Sequence, residues 1–229
     1  MANYLGIERR RIQVVPLGIS FDGHARREGG DPEPFTVGYL GRVAPEKGLH
    51  VLAEAYHRLV SRAGLPPSRL WAAGYLAPEH RPYLASVQQQ MEGWGLSGRF
   101  RYHGELDRSA KLAFLRELSV LSVPGAYADP KGLFLLEAMA SGVPIVHPRR
   151  GAAVEIVEAT GGGVLVAPDN PDALAEGILA LWNDPDKRRA CGAQGYDGVR
   201  THYSATQMRD RALKIYQSLL TSSDSLGGR

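Results

Sequence analysis

Phe35-Thr36-Val37-Gly38-Tyr39-Leu40-Gly41-Arg42-Val43-Ala44-Pro45-Glu46-Lys47-Gly48 decides the fold class. Its first six residues form a short apolar run closed by Gly41, the pattern of a strand buried on both faces. A helix is expected to open at Pro45, because proline is tolerated in a first helical turn and Glu46 suits the positive end of a helix. Leu49, Leu52, Tyr56, Leu59 and Val60 then recur at three-to-four spacing, the stripe of a helix facing a core.

The same alternation continues outward. Leu70 to Gly74 reads as a second strand, followed by a helix from about Pro78 to Glu92. Phe100 to Gly104 is a third strand, and Asp107 caps a helix running to about Glu117. Val120 to Pro124 is a fourth strand, with a loop and helix over Gly132 to Ala140. Val143 to Val146 and Gly163 to Val166 are the fifth and sixth, and helices over about 171–183, 186–201 and 205–221 close the chain. Strands alternating with helices predict an α/β fold: a three-layer, Rossmann-like parallel sheet with helices on both faces. Ligands of such sheets bind beyond the carboxyl ends of the strands. The expected division is a connector over 1–34, the Rossmann-like domain over 35–204, a carboxy-terminal helix over 205–221 and a flexible tail over 222–229. Within the connector, Ile12 to Gly18 suggests a strand running into a turn, and Asp22 to Pro34 has the composition of a linker.

Composition narrows the function classes. The 229 residues are 44% hydrophobic and 22% charged, which excludes whole-chain disorder. No apolar run reaches the roughly 18 residues of a membrane helix, and Met1-Ala2-Asn3-Tyr4 does not open a secretory signal. The single cysteine, Cys191, excludes an internal disulfide and predicts a reducing cytoplasm. Net charge is +3, with 27 basic residues of which five are lysine. The arginines are scattered and match no nucleic-acid signature, so nucleic acid is not an expected partner. The seven histidines lack metal-ligand spacing. His103 and His147 end strands and face the expected ligand edge. Gly93-Trp94-Gly95-Leu96-Ser97-Gly98 satisfies G-x-G-x-x-G, but a helix precedes it and a strand follows, the reverse of the dinucleotide fingerprint. No nucleophile elbow or phosphate loop is present.

Three strand-end segments carry charge in useful places. Gly41 permits close approach of a ligand to the backbone, and Arg42 with Lys47 is a pair able to clamp a diphosphate or merely to decorate a solvated turn. In Asp129-Pro130-Lys131-Gly132-Leu133-Phe134-Leu135-Leu136-Glu137, the glutamate sits in an otherwise apolar helix and needs a partner. That partner is either a structural cation or a ligand diol such as ribose, which suits an acceptor-only carboxylate. Asp129 is either a turn residue or a second carboxylate on the same ligand. Arg149 to Glu155 forms a further turn and helix start.

Taken together, Val37 to Gly48, Gly132-Leu133-Phe134-Leu135-Leu136-Glu137-Ala138-Met139-Ala140-Ser141-Gly142-Val143-Pro144 and Gly163 to Pro168 with Asp172 to Ala175 resemble the carboxy-terminal domain of group-1 retaining glycosyltransferases with the GT-B fold. Arg11 to Ile19 is similar to that family's interdomain crossing, and the resemblance spans about residues 5–220. It implies a domain that binds a nucleoside-diphosphate sugar for transfer to an acceptor, without metal or cofactor. Arg42 and Lys47 would hold the diphosphate, aided by Gly41 and the helix start at Gly132 and Leu133. Glu137 would bind the ribose hydroxyls. Asp129 stands at the place of the family's first glutamate and would be the catalytic, sugar-contacting carboxylate, while Glu155 matches a further acidic position. Base choice would fall to backbone groups near Gly104 to Leu106.

Two departures stand out. Asp129 replaces a glutamate, so its carboxylate retreats by about 1.5 Å. Lys131 replaces an aromatic residue. The resemblance also implies a missing amino-terminal half that carries the acceptor site and packs on the helix over 205–221, a surface that a second copy could otherwise cover. The isolated chain is then expected to be inactive. Alternatives are a non-catalytic nucleotide-sugar-binding module acting with a partner chain, and half of a GT-B-like sugar epimerase.

Overall fold

The computed structural model describes residues 4, 6–26, 30–62 and 65–224. Among them, six strands form one parallel sheet: β1 (Phe35–Leu40), β2 (Ser68–Ala73), β3 (Phe100–Tyr102), β4 (Val120–Leu121), β5 (Ile145–Pro148) and β6 (Gly163–Val166), in the order β3-β2-β1-β4-β5-β6. The helices that accompany them are α1 (Leu49–Val60), α2 (Arg81–Gly93), α3 (Arg108–Arg116), α4 (Leu133–Ala140), α5 (Ala152–Thr160), α6 (Pro171–Trp182), α7 (Pro185–His202) and α8 (Ala205–Asp224). The chain steps from β1 to one side through β2 and β3, then returns to the other through β4, β5 and β6. Right-handed crossovers in opposite directions place α1 and α2 on one face and α3, α4 and α5 on the other. After β6, α6 returns to pack on α1, and α7 packs on α4 and α5. All six residues of β1 are buried, as expected of a central strand covered on both sides.

Side-chain caps fix several helix starts. Asp107 accepts from the amide of Ala110 at 2.8 Å, and Asn170 and Asp184 do the same for α6 and α7. The connector is bound to the domain by ion pairs from Asp31 to Arg188 and Arg189, and by the guanidinium of Arg200 between the rings of Phe21 and Tyr196.

Beyond shifts of one to three residues at the bounds of β2, β3, β5 and α2, the structure departs from the expected elements in four places. Ile12 to Gly18 forms no strand; among the described residues the only pairing nearby is a single bridge from Ile19 to Ser204, and Val14 is exposed. An apolar alternation becomes a strand only where a sheet edge is in reach. The fourth strand is just Val120–Leu121, and its ladder stops short of Pro124, which has no amide to donate. No α-helix opens at Pro45: residues Pro45–Lys47 make one 3₁₀ turn, Gly48 adopts a left-handed φ of 76°, and α1 starts only at Leu49. At the end of the chain, α8 runs on to Asp224, past the expected limit at position 221, while residues 225–229 of the expected tail lie outside those described. Leu213 and Tyr216 of α8 are exposed. Among the described residues no helix is long and apolar enough to cross a membrane.

Candidate functional site

The strand order reverses between β1 and β4, and the crevice of an open α/β sheet opens at such a reversal. Here the loop after β1 and the loop before α4 diverge, leaving a cleft of about 360 Å³. Gly41, Arg42, Lys47, Leu133 and Glu137, drawn from segments far apart in sequence, line it together. Glu105 and Leu106, after β3, and Tyr75, after β2, form its other end.

Close backbone packing builds the floor. Gly41 donates to the carbonyl of Ala73 at 3.0 Å and Val43 to that of Tyr75 at 2.8 Å, so the chain stays bonded beyond the end of β1. Gly74 has φ 135°, and a Cβ there would lie 2.0 Å from the carbonyl oxygen of Gly41, so only glycine fits. Tyr39, fully buried, donates from its hydroxyl to the carbonyl of Arg42 at 2.7 Å and fixes the turn that carries that side chain. The guanidinium of Arg42 is exposed and meets Glu46 at 3.0 Å, an interaction weak enough for an anion to displace.

Lys47 is held more firmly. Its ammonium donates to Asp129 Oδ2 at 2.8 Å and stands 4.8 Å from the Tyr127 ring centroid. Burial alone would lower its pKa, but the hydrogen bonds with Asp129 and Tyr127 outweigh this and raise it. Asp129 is correspondingly engaged on every side. Its Oδ1 accepts from the amides of Lys131 at 2.9 Å and Gly132 at 3.1 Å, and its Oδ2 accepts from Lys47 and, at 3.3 Å, from the Tyr127 hydroxyl. Its carbonyl takes the amide of Ala152 at 2.8 Å, which ties the turn to the start of α5. Burial would raise the carboxyl's pKa; the bonds from Lys47 and the two amides prevail and bring it down to about 2.

The helix start that faces the cleft is that of α4. Gly132, with φ 61°, is its N-cap and supplies no side-chain cap. The first intrahelical donor is Leu135, so the amides of Leu133 and Phe134 stand ahead of the helical ladder, with the positive end of the helix dipole. The start of α1 does not play this part: its His50 amide is taken by the Tyr83 hydroxyl at 3.1 Å.

Glu137, half-buried on α4, accepts from the ammonium of Lys111 on α3 at 2.5 Å. Glu155 does not join the group; it is exposed on α5, outside the cleft lining. The two strand-end histidines also separate. His147 borders a small hollow beside Lys47 and Asp129, its Nδ1 2.9 Å from the carbonyl of Pro148, and burial pushes its pKa down. His103 packs between Trp71 and Phe114 instead. Lys111, Tyr75 and Phe134 belong to the cleft without having been marked in the sequence. Nothing in the sequence marks Lys111, a lysine on a short helix whose partner lies on another helix. Among the described residues no three or more His, Cys, Asp or Glu side chains gather in a way that could hold a metal ion.

Comparison with known proteins gives the family and the fold. The family described as "Glycosyl transferases group 1" matches residues 22–198. The phosphatidyl-myo-inositol mannosyltransferase of Mycobacterium tuberculosis is 28% identical over 216 residues, covering 91% of this chain and 54% of that protein. The D-inositol 3-phosphate glycosyltransferase of Corynebacterium urealyticum is 28% identical over 224 residues, covering 93% of this chain and 52% of that protein. The chain thus spans about half the length of these curated relatives. Among solved structures, Anabaena HepE in complex with UDP superposes with a TM-score of 0.82 at 20% identity, over 94% of this chain and 60% of that one. The C-terminal domain of the Francisella tularensis group 1 glycosyl transferase LpcC superposes with a TM-score of 0.72 at 23% identity, over 82% of this chain and 100% of that one. The fold is therefore that of one Rossmann-like GT-B half, and the chain belongs to the group 1 glycosyltransferases.

Proposed function

We propose that this chain is the donor-binding half of a glycosyltransferase that moves a sugar from a nucleoside diphosphate to an acceptor. The observation that carries the reading is the meeting of Arg42, Lys47, the start of α4 and Glu137 around one cleft at the sheet's reversal point. In this reading the guanidinium of Arg42 leaves Glu46 for the diphosphate, and the amides of Leu133 and Phe134 take its remaining oxygens. Charge grows on that diphosphate as the bond to the sugar breaks, so these groups stabilise the transition state more than the bound donor. Their positive charge makes the reading independent of a metal. Glu137 accepts from the ribose hydroxyls, and the base lies toward Tyr75 and Leu106.

Asp129 acts through its neighbours rather than on the sugar. Its oxygens already serve two amides, Lys47 and Tyr127, so it sets the position of the cation and of the α4 start. The acceptor site belongs to a second half that covers the exposed apolar side chains of α8. Cys191, a buried free thiol, suits a reducing compartment, the cytoplasm. Calorimetric titration with UDP, GDP and ADP tests the assignment. Arg42→Ala or Glu137→Ala is expected to weaken the tightest-binding of the three at least tenfold; unchanged affinity in both variants refutes it.

A further inference from the structure

We propose that Lys111 is a positioning residue for the donor's ribose, holding the Glu137 carboxylate in the orientation that receives a vicinal pair of hydroxyls; this rests on the reading of Glu137 given above. Lys111 Nζ donates to Glu137 Oε1 at 2.5 Å, and the two side chains are 25% and 24% exposed, so both are partly shielded from water while lining the cleft. Among the described residues no protein group bonds Oε2, which is left to accept from a ligand.

The ammonium's place is itself fixed. The amide of Lys111 donates to the Asp107 carbonyl at 2.9 Å, inside the capped first turn of α3. That helix is strapped to the connector by Arg108, whose guanidinium donates to the carbonyl of Asp22 at 2.5 Å, and by Arg116, which donates to the carbonyl of Gly23 at 3.3 Å. Within electrostatic reach of Glu137 lies His24, buried, with Nδ1 2.8 Å from the Ser141 hydroxyl. Burial lowers the His24 pKa, and the cations of Arg108, Lys111 and Arg200 lower it further against the pull of Glu137. At neutral pH that ring is uncharged, and Lys111 is the cation on which the carboxylate relies. A carboxylate held at one oxygen by a fixed ammonium loses little further freedom when a diol binds the other. Without the ammonium, a half-buried charge is left without compensation and turns freely.

The test is calorimetry at one pH on wild type, Lys111→Met, Lys111→Gln and Lys111→Arg. The probes are UDP, GDP and ADP with their 2′,3′-dideoxy counterparts. Wild type is expected to bind its preferred ribonucleotide at least tenfold more tightly than the dideoxy form. Lys111→Met and Lys111→Gln should lose most of that preference, the ribonucleotide weakening far more than its dideoxy form, and Lys111→Arg should restore it. The proposal is overturned if both neutral variants keep the preference, if they weaken both ligands equally, or if Lys111→Arg fails to restore it. A wild type that binds but does not distinguish the two ligands refutes the ribose role of Glu137 itself. A wild type that binds none of the three refutes the donor site.

Discussion

Replacing Asp129 by asparagine removes one charge and keeps the side chain's shape. The amide oxygen can still accept from the amides of Lys131 and Gly132, so the turn before α4 survives. What is lost is the ionic partner of Lys47. The distance from the ordinary carboxyl pKa of 3.8 to about 2 corresponds to about 2.4 kcal/mol of preference for the charged form. Asp129 is partly exposed and its charge partly screened by water, so the expected loss is about 1–2 kcal/mol. For a domain of this size that lowers Tm by about 2–8 °C at pH 7. The sign with pH follows from the depressed folded pKa. The stabilisation is complete above the unfolded value, about half gone at pH 3, and lost as pH falls through about 2. Urea unfolding of wild type and Asp129→Asn at pH 7, 4 and 3 should therefore show curves that converge on acidification. In a Lys47→Met background the same substitution should cost less, because the pair is already broken and only the two amides still favour the charged form. A difference that is absent at pH 7, or constant down to pH 3, or undiminished in the Lys47→Met background, refutes the reasoning.

Other outcomes follow from the same geometry. Gly74→Ala places a Cβ 2.0 Å from the Gly41 carbonyl oxygen at a φ few side chains adopt; it should cost about 2–4 kcal/mol in urea unfolding and weaken nucleotide binding with it. His24, His103 and His147 are held below 6.5 by burial, so the unfolded chain binds more protons just below that pH. Stability should fall between pH 7 and pH 5.5, and His24→Gln should flatten part of the fall; a pH-independent midpoint contradicts this. Burial raises the pKa of the Cys191 thiol, so a thiol-reactive chromophore should label the native chain slowly and the urea-unfolded chain fast.

Much of this was legible because buried parallel strands write themselves as continuous apolar runs. Phe35–Leu40 and Gly163–Val166 follow from such runs, the fifth strand forms at Ile145–Pro148, two residues beyond the run expected to make it, and the cap Asp107 marked its helix. Each failure traces to something nonlocal. The run Ile12 to Gly18 has strand character but no sheet edge to join, and only the fold determines where edges are. The left-handed turn at Gly48 looks in sequence like any glycine near a helix start; its close approach to the Pro124 carbonyl is a tertiary fact. At the site, Arg42, Lys47 and Glu137 were found because each breaks a local pattern at a strand end or on an apolar helix. Lys111 breaks none, since a lysine on a short polar helix is ordinary until α4 places a carboxylate beside it. Asp129 was visible as a residue but not as a junction, because its ionic partner Lys47 lies 82 positions away and only the fold brings the two together.

A crystal structure of this chain with its tightest-binding nucleoside diphosphate tests the central claim most directly. The account expects the diphosphate within hydrogen-bond distance of Arg42 and the first amides of α4, and the ribose hydroxyls on Glu137. A nucleotide seated elsewhere, for example in the hollow between His50 and Leu174 behind the Lys47 turn, would contradict it.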